Sequence, residues 1–209
     1  MMKGLILIFG CLLISISANC QSEKWKQKNA RLNFSISPQF EFVKIGGNYN
    51  PTAGISGSIV FNSTYYFGGY FTKKMLRNYN TYPAYPASDL DVNYQHLGME
   101  FLYAMPLGLY RTKGGHYVHP KLRIVFGGRI GAGTFWMDDI NKQKVSTRDY
   151  FYFIQPQAGI TYPLNDFITF HGGLCFTSSL SVDKLNAYLK TKDFTGPGIY
   201  VSAKFTLFR

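Results

Sequence analysis

Cysteine is nearly absent from this chain. Of its three cysteines, Cys11 and Cys20 fall within the first twenty residues, which leaves Cys175 alone in the remainder. A single cysteine cannot close an intramolecular disulfide, even in an exported compartment that permits one. A domain without disulfides must draw its stability from elsewhere, and a closed barrel is one source. Charge is scarce as well. Charged residues make up 16 % of the chain, against roughly 25 % in ordinary soluble domains. The formal net charge of +11 is scattered rather than gathered into a Lys/Arg block. That removes the signature of a nucleic-acid surface, and a diffuse attraction to anionic lipid or polysaccharide accounts for it better. After residue 20 no apolar run approaches the ~20 residues of a membrane-spanning helix, and no sustained helical period appears.

The N-terminus does carry a recognisable signal. Lys3 forms a short positive region, Gly4 to Ile16 is apolar, and Ser17-Ala18-Asn19-Cys20 is a small-residue exit. This is the form of a secretory signal peptide, too short to span a bilayer. Cleavage after Cys20, with Ala18 at the −3 position, makes Gln21 the new N-terminus. The rival reading acylates Cys20 as a lipoprotein, but the residues before it match the usual lipobox poorly. The expected organisation is a signal peptide at 1–20, a polar periplasmic lead-in at 21–30, and one domain over 31–209.

That domain is written in period two. In RLNFSISPQFEFV (31–43), Leu32, Phe34, Ile36, Pro38, Phe40 and Phe42 share one parity, and Arg31, Asn33, Ser35, Ser37, Gln39 and Glu41 the other. The same alternation recurs near 52–62, 64–74, 93–105, 119–134, 149–162, 166–177 and 196–208, which predicts eight strands. Their lengths suit tilted strands that cross a bilayer in about 9–11 residues. Short turns are expected near Asn62-Ser63 and at 163–166. Longer polar segments are expected at 44–51, 75–92, 135–148 and 178–195. The 106–118 connection breaks this rhythm, either as a hairpin extending strands 4 and 5 or as a misplaced register.

Which face points inward separates two architectures. A soluble lipocalin-like barrel turns its apolar face to the cavity, and a membrane barrel turns it to lipid. The apolar faces are heavy with Phe, Tyr, Leu and Ile on nearly every strand. The polar faces hold single charges (Arg31, Glu41, Glu100, Arg123, Arg129 and Lys204) among Gly, Ser, Thr and Gln. A narrow lumen wants small residues and a few mutually paired charges, because an unpaired buried charge is expensive. Tyr65, Tyr94, Tyr103, Tyr150 and Tyr162 sit at strand ends, as interfacial aromatic girdles do. The expected fold is an all-β, eight-stranded antiparallel up-and-down transmembrane β-barrel.

With a signal peptide, eight alternating strands and YQHLGMEFLYAMPLGLY (94–110) running into an apolar-Pro-Leu turn, the chain resembles the small outer-membrane β-barrel proteins of Gram-negative bacteria. It is most similar to the OmpX/OmpA-type barrels and the porin-like, PorT-like outer-membrane barrel domains. The resemblance covers residues 31–209. It implies an outer-membrane location, contact with outer-membrane lipid and lipopolysaccharide, and insertion by the barrel-assembly machinery. Such barrels usually end in an aromatic residue, whereas Phe208 here has the other parity and Arg209 is last.

Motifs for chemistry are weak. GGRIGAG (127–133) lies within a strand pattern and lacks the strand–turn–helix context of a phosphate loop. His116 and His119 have no third ligand nearby, which favours a solvated turn over a metal site. Asp89, Asp91, Asp138 and Asp139 read as loop solubility before calcium. His171 is followed by Gly172-Gly173, where a lipid deacylase would need Ser. The expectation is therefore a non-enzymatic protein without cofactor or metal. Its role would lie in envelope integrity, adhesion or surface interaction, or secretion, exercised through loops. Tyr79, Tyr82, Tyr85, Asp138 and Asp139 are the candidate contacts for a surface or periplasmic protein partner, and no nucleic acid is expected. A narrow channel for small solutes and a soluble periplasmic ligand-binding barrel are the alternatives.

Overall fold

A computed structural model describes residues 32–76, 79–82, 85–107, 110–111, 117–118, 122–138, 149–165, 167–182 and 191–207. Eight long strands follow one another: β1 (Leu32–Ile45), β2 (Asn48–Phe61), β3 (Tyr65–Lys74), β4 (Tyr85–Pro106), β5 (Arg123–Asp138), β6 (Asp149–Pro163), β7 (Ile168–Val182) and β8 (Gly196–Thr206). Every neighbouring pair is antiparallel, and β8 pairs back onto β1, so the sheet closes on itself. Closure removes both edges, the only way a sheet can stand in lipid with its backbone groups satisfied.

The strict alternation of residue type becomes an alternation of environment. One parity points outward on every strand, with Phe34, Ile55, Phe67, Met99, Ile130, Ile154, Leu174 and Ile199 exposed. The other points inward, and Ser35, Gln39, Glu41, Ser56, Thr72, Glu100, Arg129, Gln155, Gln157, His171 and Lys204 are buried there. Leu174 is 66 % exposed while Glu41 is 3 % exposed. This is the reverse of a soluble barrel, so the lipocalin-like alternative fails on the direction of its faces. No helix among the described residues is long and apolar enough to cross a membrane; the crossing elements are strands.

Five connections differ from the sequence reading. β5 carries strand into the expected 135–148 segment as far as Asp138, and β7 carries it into the expected 178–195 segment as far as Val182. The 44–51 segment is not a loop. Strand pairing continues to Ile45↔Asn48, and the chain reverses through Gly46 and Gly47 at φ +60° and +88°. Two glycines with positive φ are what a two-residue hairpin of matching twist requires. The 75–92 segment is also largely strand: Tyr79–Tyr82 pairs with β4, which begins at Tyr85 rather than near residue 93. The connection between β4 and β5 holds a separate small ladder, Tyr110–Arg111 with Tyr117–Val118, and β5 starts at Arg123 rather than near 119.

Tyr94 is a further correction. It is 3 % exposed and faces the lumen, not the interface. Its parity is that of His96 and Glu100, and the inward row at this level is aromatic. Tyr65, Tyr103, Tyr150 and Tyr162 do point outward near strand ends, and the Tyr65 and Tyr103 rings lie 5.2 Å apart.

Candidate functional site

Among the described residues the buried polar and charged side chains gather in the lumen. At mid-height the guanidinium of Arg129 reaches from β5 to β1, which lie opposite each other in an eight-strand ring. Its Nη1 pairs with Glu41, its Nη2 donates to Gln39 Oε1 at 2.5 Å, and its Nε donates to Glu100 Oε2 at 2.7 Å. Lys204 Nζ stands 3.9 Å from Glu100 Oε1. Arg129 also sits 4.5 Å over the Tyr70 ring, and Lys204 lies 4.2 Å over that of Tyr66. Two carboxylates thus meet two cations, and the group is neutral as a whole. That balance lets four charges sit where water is excluded. The planar fork of arginine suits the central place, since it serves three acceptors from one side chain.

Around this arch the inward polar side chains bind one another. Tyr70 Oη and Thr72 Oγ1 flank the two ring nitrogens of His96, with Tyr70 at 3.3 Å from Nδ1. Tyr200 Oη lies 3.0 Å from His171 Nε2. Gln157 Nε2 donates to Gln155 Oε1 at 3.2 Å, and Gln155 Nε2 donates to Thr177 Oγ1 at 3.1 Å. Nearer the loop end, Lys74 pairs with Asp91 and donates to the Val92 carbonyl at 2.9 Å.

Above the arch the lumen turns aromatic. A short 3-10 turn, Thr191–Phe194, lies across the mouth at the loop end and lowers Phe194 into it. The Phe194 ring stacks on Phe151 at 5.5 Å and Tyr94 at 6.1 Å, and packs against Phe135 at 4.7 Å. The turn is fastened by Gly47 N donating to Asp193 O at 3.0 Å and Ser179 N donating to Thr195 Oγ1 at 3.2 Å. Below the arch, Leu102, Ala104 and Val125 pack together with Tyr66 alongside.

Of the six charges expected in the lumen, Glu41, Glu100, Arg129 and Lys204 meet at one place. Arg123 does not join them: it stands at the first residue of β5, where its Nη1 donates to the Ser63 carbonyl of the β2–β3 turn in an exposed position. Arg31 and Asp139 lie outside the described residues, as do His116 and His119. Tyr79, Tyr82 and Tyr85 lie in the hairpin that extends β4, with Tyr82 and Tyr85 directly opposed. Asp138 ends β5 opposite Asp91 and accepts from Asn93 Nδ2 at 2.6 Å. Asp89 also lies in that hairpin, opposite Thr81. Among the described residues no three His, Cys, Asp or Glu side chains gather as metal ligands. GGRIGAG runs as unbroken strand within β5.

Sequence reasoning does not single out Gln39, Tyr70 or His96, although their parity already places them inward. Phe194 has no signal at all, since nothing local marks which residue of a connection folds back into the mouth.

No protein-family model and no curated protein sequence matches the chain. Solved structures do. Neisserial surface protein A is 12 % identical, with a TM-score of 0.54 over 86 % of this chain and 100 % of that one. Ail, the attachment invasion locus protein of Yersinia pestis, is 12 % identical at a TM-score of 0.46 over 84 % of this chain and 97 % of that one. A major outer membrane protein of Thermus thermophilus is 13 % identical at a TM-score of 0.43 over 84 % of this chain and 99 % of that one. The likeness to Neisserial surface protein A, with the closed ring and outward apolar belt, identifies the fold as the eight-stranded transmembrane barrel of the small outer-membrane proteins.

Proposed function

We propose that this is an exported, integral outer-membrane protein that works as a sealed post rather than a passage. It has no enzymatic role in this reading. It acts in envelope integrity, in adhesion or other surface interaction, or as an accessory to secretion. The end bearing the first residue of β1 and the last of β8, with the short turn at 62–64 and the short link from Pro163 to Ile168, faces the periplasm, as short barrel turns do. The loop end faces outward, where the hairpin of Tyr79, Tyr82 and Tyr85 and the Asp138 corner meet lipopolysaccharide or a surface partner. The barrel-assembly machinery inserts it.

One observation carries the reading: the Arg129 side chain spans the lumen to Glu41 and Gln39, beneath a mouth filled by Phe194. An eight-stranded barrel has just enough interior for side chains to fill, and these fill it with paired groups. A solute path would require parting a charge cluster in low dielectric. Exposed apolar side chains on all eight strands support placement in lipid.

The test has two parts. Mature protein from an outer-membrane fraction should change gel mobility on boiling in detergent. In planar bilayers the same preparation should give no steady conductance. A soluble protein with no mobility shift would overturn the membrane assignment, and regular conductance steps would replace the post with a channel.

A further inference from the structure

We propose that the periplasmic half of the lumen, just below the Arg129 arch, holds a small monovalent inorganic anion between the Lys204 ammonium and the Gln39 side-chain amide. An anion held there is bound and not passed, so the site adds to the sealed-post reading without opening a path. The arch shares out its partners unevenly. Glu41 pairs with Arg129 Nη1, and Glu100 Oε2 accepts from Nε at 2.7 Å with Nη2 2.6 Å away. Both carboxylates thus serve the guanidinium first. Lys204 Nζ is left 3.9 Å from Glu100 Oε1, and no hydrogen bond reaches it among the described residues.

Lys204 is 4 % exposed. An ammonium carries three N–H donors and no acceptor, and burying it without hydrogen bonds is costly. The face of the Tyr66 ring, 4.2 Å away, attracts the charge but cannot serve three N–H groups. Gln39, also buried, is in the same position. Arg129 Nη2 donates to its Oε1 at 2.5 Å. A guanidinium has donors only, so the amide must present its oxygen there and turn its Nε2 away. That Nε2 is buried and has no partner among the described residues.

The two donors stand on neighbouring strands and on one face. Gln39 on β1 pairs with Ser202 on β8, and Lys204 lies two residues beyond Ser202 with the same parity. With ~5 Å between strands and ~3.4 Å per residue, their Cα atoms are about 8 Å apart. Both side chains reach toward one edge of the guanidinium, since Arg129 Nη2 touches Gln39 Oε1 and Glu100 Oε2 alike. Whatever lies between them must accept from an ammonium and from an amide N–H. An anion does so in any orientation, whereas water must also aim both of its own hydrogens elsewhere. Charge favours the anion as well. Arg123 adds a second cation at the periplasmic rim, and Glu100, the carboxylate beside Lys204, is already engaged by Arg129. Side chains nearly fill an eight-stranded interior, so the occupant is of chloride size. Small hydroxyls line the approach: Ser35, Ser37 and Ser58 are buried on the β1–β2 wall toward the periplasmic end.

The test is urea unfolding in zwitterionic detergent micelles, followed by tryptophan fluorescence, in potassium chloride and in potassium gluconate at equal ionic strength. The wild-type midpoint should rise saturably with chloride and stay flat with gluconate, whose anion is too bulky for the lumen. Lys204→Met should abolish that difference. Gln39→Glu keeps an acceptor for Arg129 and supplies a tethered carboxylate oxygen in the anion's place. Its midpoint in gluconate should match that of wild type in chloride, with no response to chloride. Should Lys204→Met fail to fold, Gln39→Glu decides. A wild type indifferent to chloride overturns the site and leaves water as the acceptor. A chloride response that survives in either variant overturns it too, as a general salt effect. The outer-membrane assignment is read separately from the heat-dependent gel shift, and its failure would leave the anion site standing.

Discussion

Ser37 donates its hydroxyl to the carbonyl of Ala203, 3.2 Å away across the seam where β1 meets β8. The seam pairs Ile36 with Phe205 and Gln39 with Ser202 but skips Ser37 and Pro38 between them. Proline brings no N–H, so the Ala203 carbonyl has no ladder donor from position 38, and the neighbouring hydroxyl takes that place. Ser37→Ala should therefore cost about 0.5–1.5 kcal/mol, the net worth of a typical hydrogen bond, because this one is part-buried. The cost should shrink in a Pro38→Ala background, where an amide is restored. Urea unfolding in detergent micelles, run as a double-mutant cycle, checks both.

Arg129 and Arg123 share a parity but not a fate. Arg129→Ala leaves Glu41 and Glu100 buried without their main partner, and removal of one member of a buried pair costs about 3–5 kcal/mol. Arg123→Ala loses an exposed bond to Ser63 and should stay within about 1 kcal/mol of wild type. The midpoint of the heat-dependent gel shift ranks the two. Equal losses would contradict the placement of Arg123 at the rim.

Phe194→Ala removes the central ring of the mouth. The loss should be about 3–5 kcal/mol, as for other buried phenylalanines cut to alanine. Conductance should nevertheless remain absent, because the Arg129 arch still crosses the lumen below. Planar-bilayer recording of the variant separates a stopper from a second barrier: open steps in Phe194→Ala would show that the arch does not block.

The β1–β2 reversal makes a cleaner backbone test. Gly46 and Gly47 have φ of +60° and +88°. A Cβ at Gly47 would come no closer than 3.9 Å to Asp193 Oδ1, so alanine there strains the backbone without a clash. Each alanine should cost about 1–2 kcal/mol, read by the same urea titration.

The sequence carries the barrel in its parity. Phe34, Phe40, Ile199 and Phe205 alternate with Ser35, Gln39, Tyr200 and Lys204, and a period of two admits only two faces. The same rule places Glu41, Glu100, Arg129 and Lys204 inward, but not at one height. Arg123 shares their parity and lies at the rim, because parity says nothing about position along the axis. Residue type assigns Tyr94 to the interface, where parity already puts it inside. The 44–51 segment reads as a loop because Asn48, Asn50 and Pro51 are turn formers, yet the closed ladder holds them in strand. The partners across the lumen depend on ring closure, which no local window contains.

Tyr94 stands on β4 and Phe194 leads into β8. Around a ring of eight they are four strands apart in either direction, and in a flat sheet that separation is about 19 Å. In the folded protein their rings stack at 6.1 Å. Their contact therefore needs a sheet already curved toward a ring, and it dates an event in the life of each molecule. The aromatic plug cannot precede that curvature, so it serves as an internal clock hand for a late step of assembly. Its near-ultraviolet signal should rise with the last strand and lag behind the strand content that forms before it.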